Sequence, residues 1–85
     1  MTDVIIYTTQ YCPYCIRAKQ LLTNKNAHFK EIKVDNNPKL RAEMTKKSGQ
    51  RTVPQIWVGT KHIGGCDELY ALERANKLDS LLANS

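Results

Sequence analysis

The chain opens on Val4-Ile5-Ile6-Tyr7-Thr8, a run of β-branched and aromatic residues that predicts a buried strand. Gln10-Tyr11-Cys12-Pro13 breaks it, and Pro13 suits the first turn of a helix. An apolar stripe then runs through Cys15, Ala18 and Leu22, with Leu21 beside it. This i, i+3, i+7 spacing predicts a helix that Asn24-Lys25-Asn26 ends. Phe29 to Val34 reads as a second strand, and a strand–helix–strand of this length makes a right-handed parallel crossover.

Asp35-Asn36-Asn37-Pro38 is a helix start, an Asx residue before proline. The helix it opens runs to about Lys47, with a thin apolar face of Leu40 and Met44 and an i,i+4 pair of Glu43 with Lys47. Ser48-Gly49 stops it. Gln55 to Val58 is a third strand, Gly59-Thr60 suits a type II′ hairpin, and Lys61 to Ile63 is a short antiparallel fourth strand. After Gly64-Gly65 a helix from about Asp67 to Asn76 is expected to turn Leu69, Leu72 and Ala75 inward, and Asp79 to cap a last turn ending in Leu81-Leu82. The order β-α-β-α-β-β-α is an α/β pattern. A four-stranded mixed sheet with helices on both faces buries every stripe, and this arrangement resembles the thioredoxin-like fold.

At 85 residues the chain has room for one core, hence one domain over residues 1–85. With 41% hydrophobic and 25% charged residues it has an ordinary globular composition. Val4-Ile5-Ile6-Tyr7 falls far short of the roughly 20 apolar residues that span a membrane. Only Met1-Thr2-Asp3 precede it, so no signal peptide is expected. Three cysteines cannot pair off, which argues for a reducing, cytoplasmic setting and for thiols with chemistry to do. The net charge of +5 favours anionic partners. Lys46-Lys47 is the only adjacent basic pair, which argues against nucleic acid and leaves a small anionic ligand open.

Cys12-Pro13-Tyr14-Cys15 is either a redox pair or half a metal site. It lies between a strand and the first turn of a helix. Residues three apart there have Cβ atoms about 5–6 Å apart, and a modest adjustment reaches the roughly 3.5–4.5 Å of a disulfide. Cys12 precedes the helix, where free N–H groups and the helix dipole favour a thiolate; Arg17 and Lys19 add positive charge. Cys15 falls on the stripe facing the core and is expected to act second. A Cys₄ metal site lacks its fourth cysteine, and Cys66 with His28 or His62 fits no common zinc spacing, so no metal is expected.

Cys12-Pro13-Tyr14-Cys15, Thr52-Val53-Pro54-Gln55 and Gly64-Gly65-Cys66-Asp67, in this order, resemble the motifs of a glutaredoxin, dithiol type, nearest the short bacterial glutaredoxin 3 class. The resemblance covers essentially the whole chain. It implies a glutathione-dependent thiol–disulfide oxidoreductase acting on protein disulfides and protein–glutathione mixed disulfides. Glutathione would be a co-substrate, with no tightly bound cofactor. Glutathione reductase would stand behind it, ribonucleotide reductase is among the family's partners, and the chain would act as a monomer. The competing readings are a thioredoxin-like protein served by thioredoxin reductase and an iron–sulfur carrier. Gly64–Asp67 and Tyr14 argue against the first, and Pro13 against the second.

Glutathione is an extended peptide with two carboxylates and one ammonium. Open main chain is expected at Thr52, Val53 and Pro54, and the resemblance implies a cis Val53–Pro54 bond. A helix N-terminus at Gly65, Cys66 and Asp67 suits the γ-glutamyl carboxylate, with the Asp67 side chain toward the ammonium. Arg51 is the first choice for the glycine carboxylate, ahead of Arg41 and Arg17. Many family members carry lysine three residues before the first cysteine, where this chain has Thr9. The resemblance also implies that the Tyr14 ring covers the glutathione. The thiol of Cys66 is expected to be an inert apolar group, and Trp57 part of a packing face.

Overall fold

The computed structural model describes residues 3–83. Strand β1 (Val4–Thr8) leads into α1 (Pro13–Asn24), β2 (Phe29–Lys33), α2 (Pro38–Ser48), β3 (Gln55–Val58), β4 (Lys61–Gly64), α3 (Cys66–Arg74) and α4 (Leu78–Ala83). The sheet order is β2-β1-β3-β4. β1 runs parallel to β2 and antiparallel to β3, and β3 pairs antiparallel with β4. This is the mixed, thioredoxin-like sheet the element order predicts.

Side chains alternate across β1. Val4 and Ile6 join Ile56, Val58, Ala18, Leu21, Leu22, Leu69, Leu78 and Leu82 in the larger core beneath α1, α3 and α4. Ile5 and Tyr7 point the other way, where Val34 and Met44 are buried with Leu40 and Trp57 beside them. The thin apolar face of α2 therefore suffices, because Met44 is fully buried. Local signals set the ends of α2: Asn37 Oδ1 accepts from Leu40 N–H at 3.2 Å, and Gly49 ends it at φ +74°. At the hairpin, Gly59 has φ +62° and Thr60 stays out of the positive region, as a type II′ turn requires.

Three local expectations are corrected. Helix α3 starts at Cys66 and ends at Arg74, so Ala75 occupies its C-cap and is exposed, whereas Leu69 and Leu72 turn inward as expected and Tyr70 packs against the core beside them. Asp79 lies inside α4 and does not cap it; its carboxylate pairs with Lys25 Nζ at 3.1 Å, while Glu73 meets the same ammonium at 2.7 Å. Leu78, not anticipated, is fully buried and anchors α4. Glu43 and Lys47 do not pair; the ion pairs among the described residues are Lys19–Glu31, Lys25–Glu73 and Lys25–Asp79. The i,i+4 spacing permits a surface pair but gives it little free energy to hold two long side chains still.

Candidate active site

The break after β1 turns through Tyr11, which has φ +62° and is almost fully exposed, and delivers Cys12 to the N-cap of α1. Cys12 has extended dihedrals, and Pro13 occupies the first turn. Its Sγ does what a cap oxygen normally does: it accepts the Cys15 N–H at 3.1 Å. This bond fixes the sulfur at the N-terminus of α1. The same sulfur lies 3.9 Å from the Val53 carbonyl oxygen, a contact across 41 residues of chain.

Cys15, three residues on, is 1% exposed. Burial, with the hydrogen bond to Cys12 second, pushes its thiol up to about 12. The two cysteines are therefore unequal as expected, Cys12 half-buried and Cys15 in the core. Cys66 is also buried, and burial followed by the charge of Asp67 raises its thiol above the ordinary value. Lys19 is not simply a free cation beside Cys12. Its ammonium is 2.9 Å from Glu31 Oε2, which also accepts from Thr8 Oγ1 at 2.7 Å.

The peptide bond Val53–Pro54 is cis. Beside it lies a cleft of about 170 Å³ lined by Tyr14, Thr52, Val53, Pro54, Gly65, Cys66, Asp67 and Glu68. Seven of these eight residues were singled out from the sequence. Arg51 was too, but its side chain is exposed and stands outside the lining; its carbonyl accepts from the Arg41 guanidinium at 3.1 Å. Glu68 was missed. Its Oε1 accepts the Gly65 N–H at 2.6 Å, and its signal is a glutamate three residues after an N-cap. Gly64 (φ +117°) has no room for a side chain: a Cβ there would come within 2.8 Å of Glu68 Oε1. Glycine is thus required where the strand hands over to α3. Among the described residues, no three His, Cys, Asp or Glu side chains gather as a metal site.

The Glutaredoxin family model matches residues 4–63. A glutaredoxin of Pseudomonas aeruginosa is 63% identical over 98% of this chain and 99% of its own length. Glutaredoxin 3 of Escherichia coli is 54% identical over 96% of this chain and 99% of its own. Among solved structures, a buckwheat glutaredoxin–glutathione complex superposes with a TM-score of 0.88 at 34% identity, covering 95% of this chain and 76% of that one. A half-buried thiol capping a helix, a buried second thiol and a cleft beside a cis-proline are thus joined by likeness along nearly the whole sequence, and the chain belongs to the glutaredoxin family of glutathione-dependent thiol–disulfide oxidoreductases.

Proposed function

We propose that Cys12 is the nucleophile and Cys15 the resolving thiol, and that the cleft between Tyr14, Thr52–Pro54 and Gly65–Asp67 holds the glutathionyl group. The single observation that carries this is the Cys12 sulfur, capping α1 at 3.1 Å from the Cys15 N–H and opposite the Val53 carbonyl.

The Cys12 thiolate attacks the glutathionyl sulfur of a protein–glutathione mixed disulfide. The S–S bond breaks, its electron pair leaves with the protein thiolate, and a new Cys12–glutathione disulfide forms. A second glutathione thiolate can attack the glutathionyl sulfur, releasing glutathione disulfide and regenerating Cys12. Alternatively Cys15, having lost its proton, attacks Cys12 Sγ and expels glutathione, leaving a Cys12–Cys15 disulfide that two further glutathiones reduce. The first step itself opens the second route. Once Cys12 is in a mixed disulfide, its hydrogen bond and its charge no longer hold the Cys15 proton in place, and burial alone remains.

Within the cleft, the Val53 backbone pairs with the extended tripeptide, the N–H groups at the start of α3 receive the γ-glutamyl carboxylate, Asp67 meets its ammonium and Tyr14 covers the chain. Arg51 reaches the glycine carboxylate only if its exposed side chain turns toward the cleft. The glutathione complex of the buckwheat relative supports this reading. Family membership supports glutathione reductase as the electron source behind glutathione and ribonucleotide reductase as one disulfide substrate. A reducing cytoplasm suits the three free thiols, and we take residues 1–85 as one monomeric domain.

The test is reduction of a small glutathione mixed disulfide, coupled to NADPH through glutathione reductase. Activity lost in Cys12→Ser and kept in Cys15→Ser is expected. Loss in Cys15→Ser alone reverses the two roles, and turnover only with thioredoxin reductase removes the glutathione cleft.

A further inference from the structure

Gln55, at the start of β3, is a polar residue in the core, 2% exposed. Its Nε2 lies 3.0 Å from the Thr52 carbonyl oxygen and 3.3 Å from Thr52 Oγ1, and its Oε1 lies 2.7 Å from His62 Nε2. A carbonyl oxygen only accepts, so the amide must turn its NH₂ toward Thr52. Its oxygen then faces His62, and the imidazole must carry its proton on Nε2. The ring of His62 is itself held, its centroid 4.7 Å from that of Trp57, which meets Tyr7 edge-on at 5.3 Å. A rigid aromatic stack on the sheet thus orients an imidazole, the imidazole orients a buried amide, and the amide grips both the backbone and the hydroxyl of Thr52. Because Thr52 Oγ1 receives a hydrogen bond from Gln55, its own O–H remains available to donate into the cleft that Thr52 lines.

We propose that His62 and Gln55 are positioning residues for glutathione, fixing the Thr52–Pro54 edge at the geometry the tripeptide pairs with. This rests on the reading of that edge as part of the glutathione cleft. Neither side chain need touch the ligand. Removing the imidazole donor leaves the Gln55 amide oxygen buried and unpaired, so the amide reorients toward other partners and releases Thr52.

The test compares wild type, His62→Leu, His62→Gln and Asp67→Ala in the mixed-disulfide assay. Leucine removes the donor; glutamine returns an N–H near the position of Nε2. His62→Leu is expected to raise KM for the glutathione mixed disulfide about three- to tenfold, the worth of one hydrogen bond, with kcat at saturation within about twofold. His62→Gln is expected to recover most of the loss. An unchanged KM in His62→Leu, a fall in kcat alone, or no recovery in His62→Gln overturns the proposal. Asp67→Ala separates the two levels: if it raises KM while His62→Leu does not, only the positioning role fails, and if neither does, the cleft reading fails with it. Should His62→Leu not fold, the imidazole ¹⁵N–¹H spectrum of the wild type decides. A slowly exchanging Nε2 proton supports the proposal, and a ring protonated on Nδ1 or an Nε2 proton exchanging as fast as free imidazole overturns it.

Discussion

Cys15 is a thiol held in reserve by its neighbour. At pH 7 a group pushed up to about 12 is ionised to only about one part in 10⁵, so a neutral alkylating agent should find Cys12 first. Part of that protection comes from Cys12 itself, through a hydrogen bond and through charge. Replacing Cys12 by alanine should therefore speed alkylation of Cys15 at pH 9 relative to Cys12→Asp, which keeps an acceptor and a negative charge at that position. Mass spectrometry of the alkylated cysteines checks it, and equal rates would mean that burial alone protects Cys15. The contrast between the two thiols was legible in the sequence, because both signals are local. Cys12 precedes a proline-started helix, and Cys15 lies on a stripe with Ala18 and Leu22. The fate of Arg51 and Lys19 was not legible. A cation's number in the chain does not say whether it faces the cleft or meets a carboxylate such as Glu31 from another element.

At the scale of elements, the handover from β4 to α3 is the most constrained join near the cleft. Alanine at Gly64 faces two costs: a φ of +117° and a Cβ 2.8–2.9 Å from the Glu68 side chain, whose retreat would also break the 2.6 Å bond capping α3. Gly64→Ala should lower stability by about 1–3 kcal/mol. Gly49→Ala should cost less, because Gly49 shares the positive φ but has nothing within 4 Å of the added methyl. Denaturant unfolding of both variants checks the order. The twin glycine marked this join in the sequence. Further along α3, periodicity carries Ala75 inward one step beyond the true end of the helix at Arg74. Periodicity reports a face; it does not report where the partner surface runs out.

Across the whole molecule, α1 is tied to the β1–β2 pair by Thr8, Glu31 and Lys19. The hydrogen bond from Thr8, then that from Lys19, holds the Glu31 carboxyl below the ordinary carboxylate value, against the opposing effect of burial. A group with a depressed folded value stabilises the fold at neutral pH and loses that contribution as pH falls from about 4.5 through its folded value. Glu31→Gln should therefore be less stable than wild type at pH 7, and the gap should narrow below pH 4.5. Thermal unfolding at several pH values reads this, and a constant gap would assign the loss to packing alone.

Spacing within a few residues carries the strands, the first two helices and the turn glycines, while the three motifs that resemble a glutaredoxin carry the Cys12–Cys15 pair and seven of the eight residues lining the cleft. Which distant groups meet is settled by packing across the fold. The Cys12 sulfur faces the Val53 carbonyl across 41 residues of chain, Glu68 turns back on Gly65, and His62 reaches Gln55 over the β4–β3 ladder. Such meetings follow from how the sheet, α1 and α3 pack around Ile6, Leu22, Ile56 and Leu69. That packing is a property of all the apolar stripes at once, and no single stretch of the chain carries it.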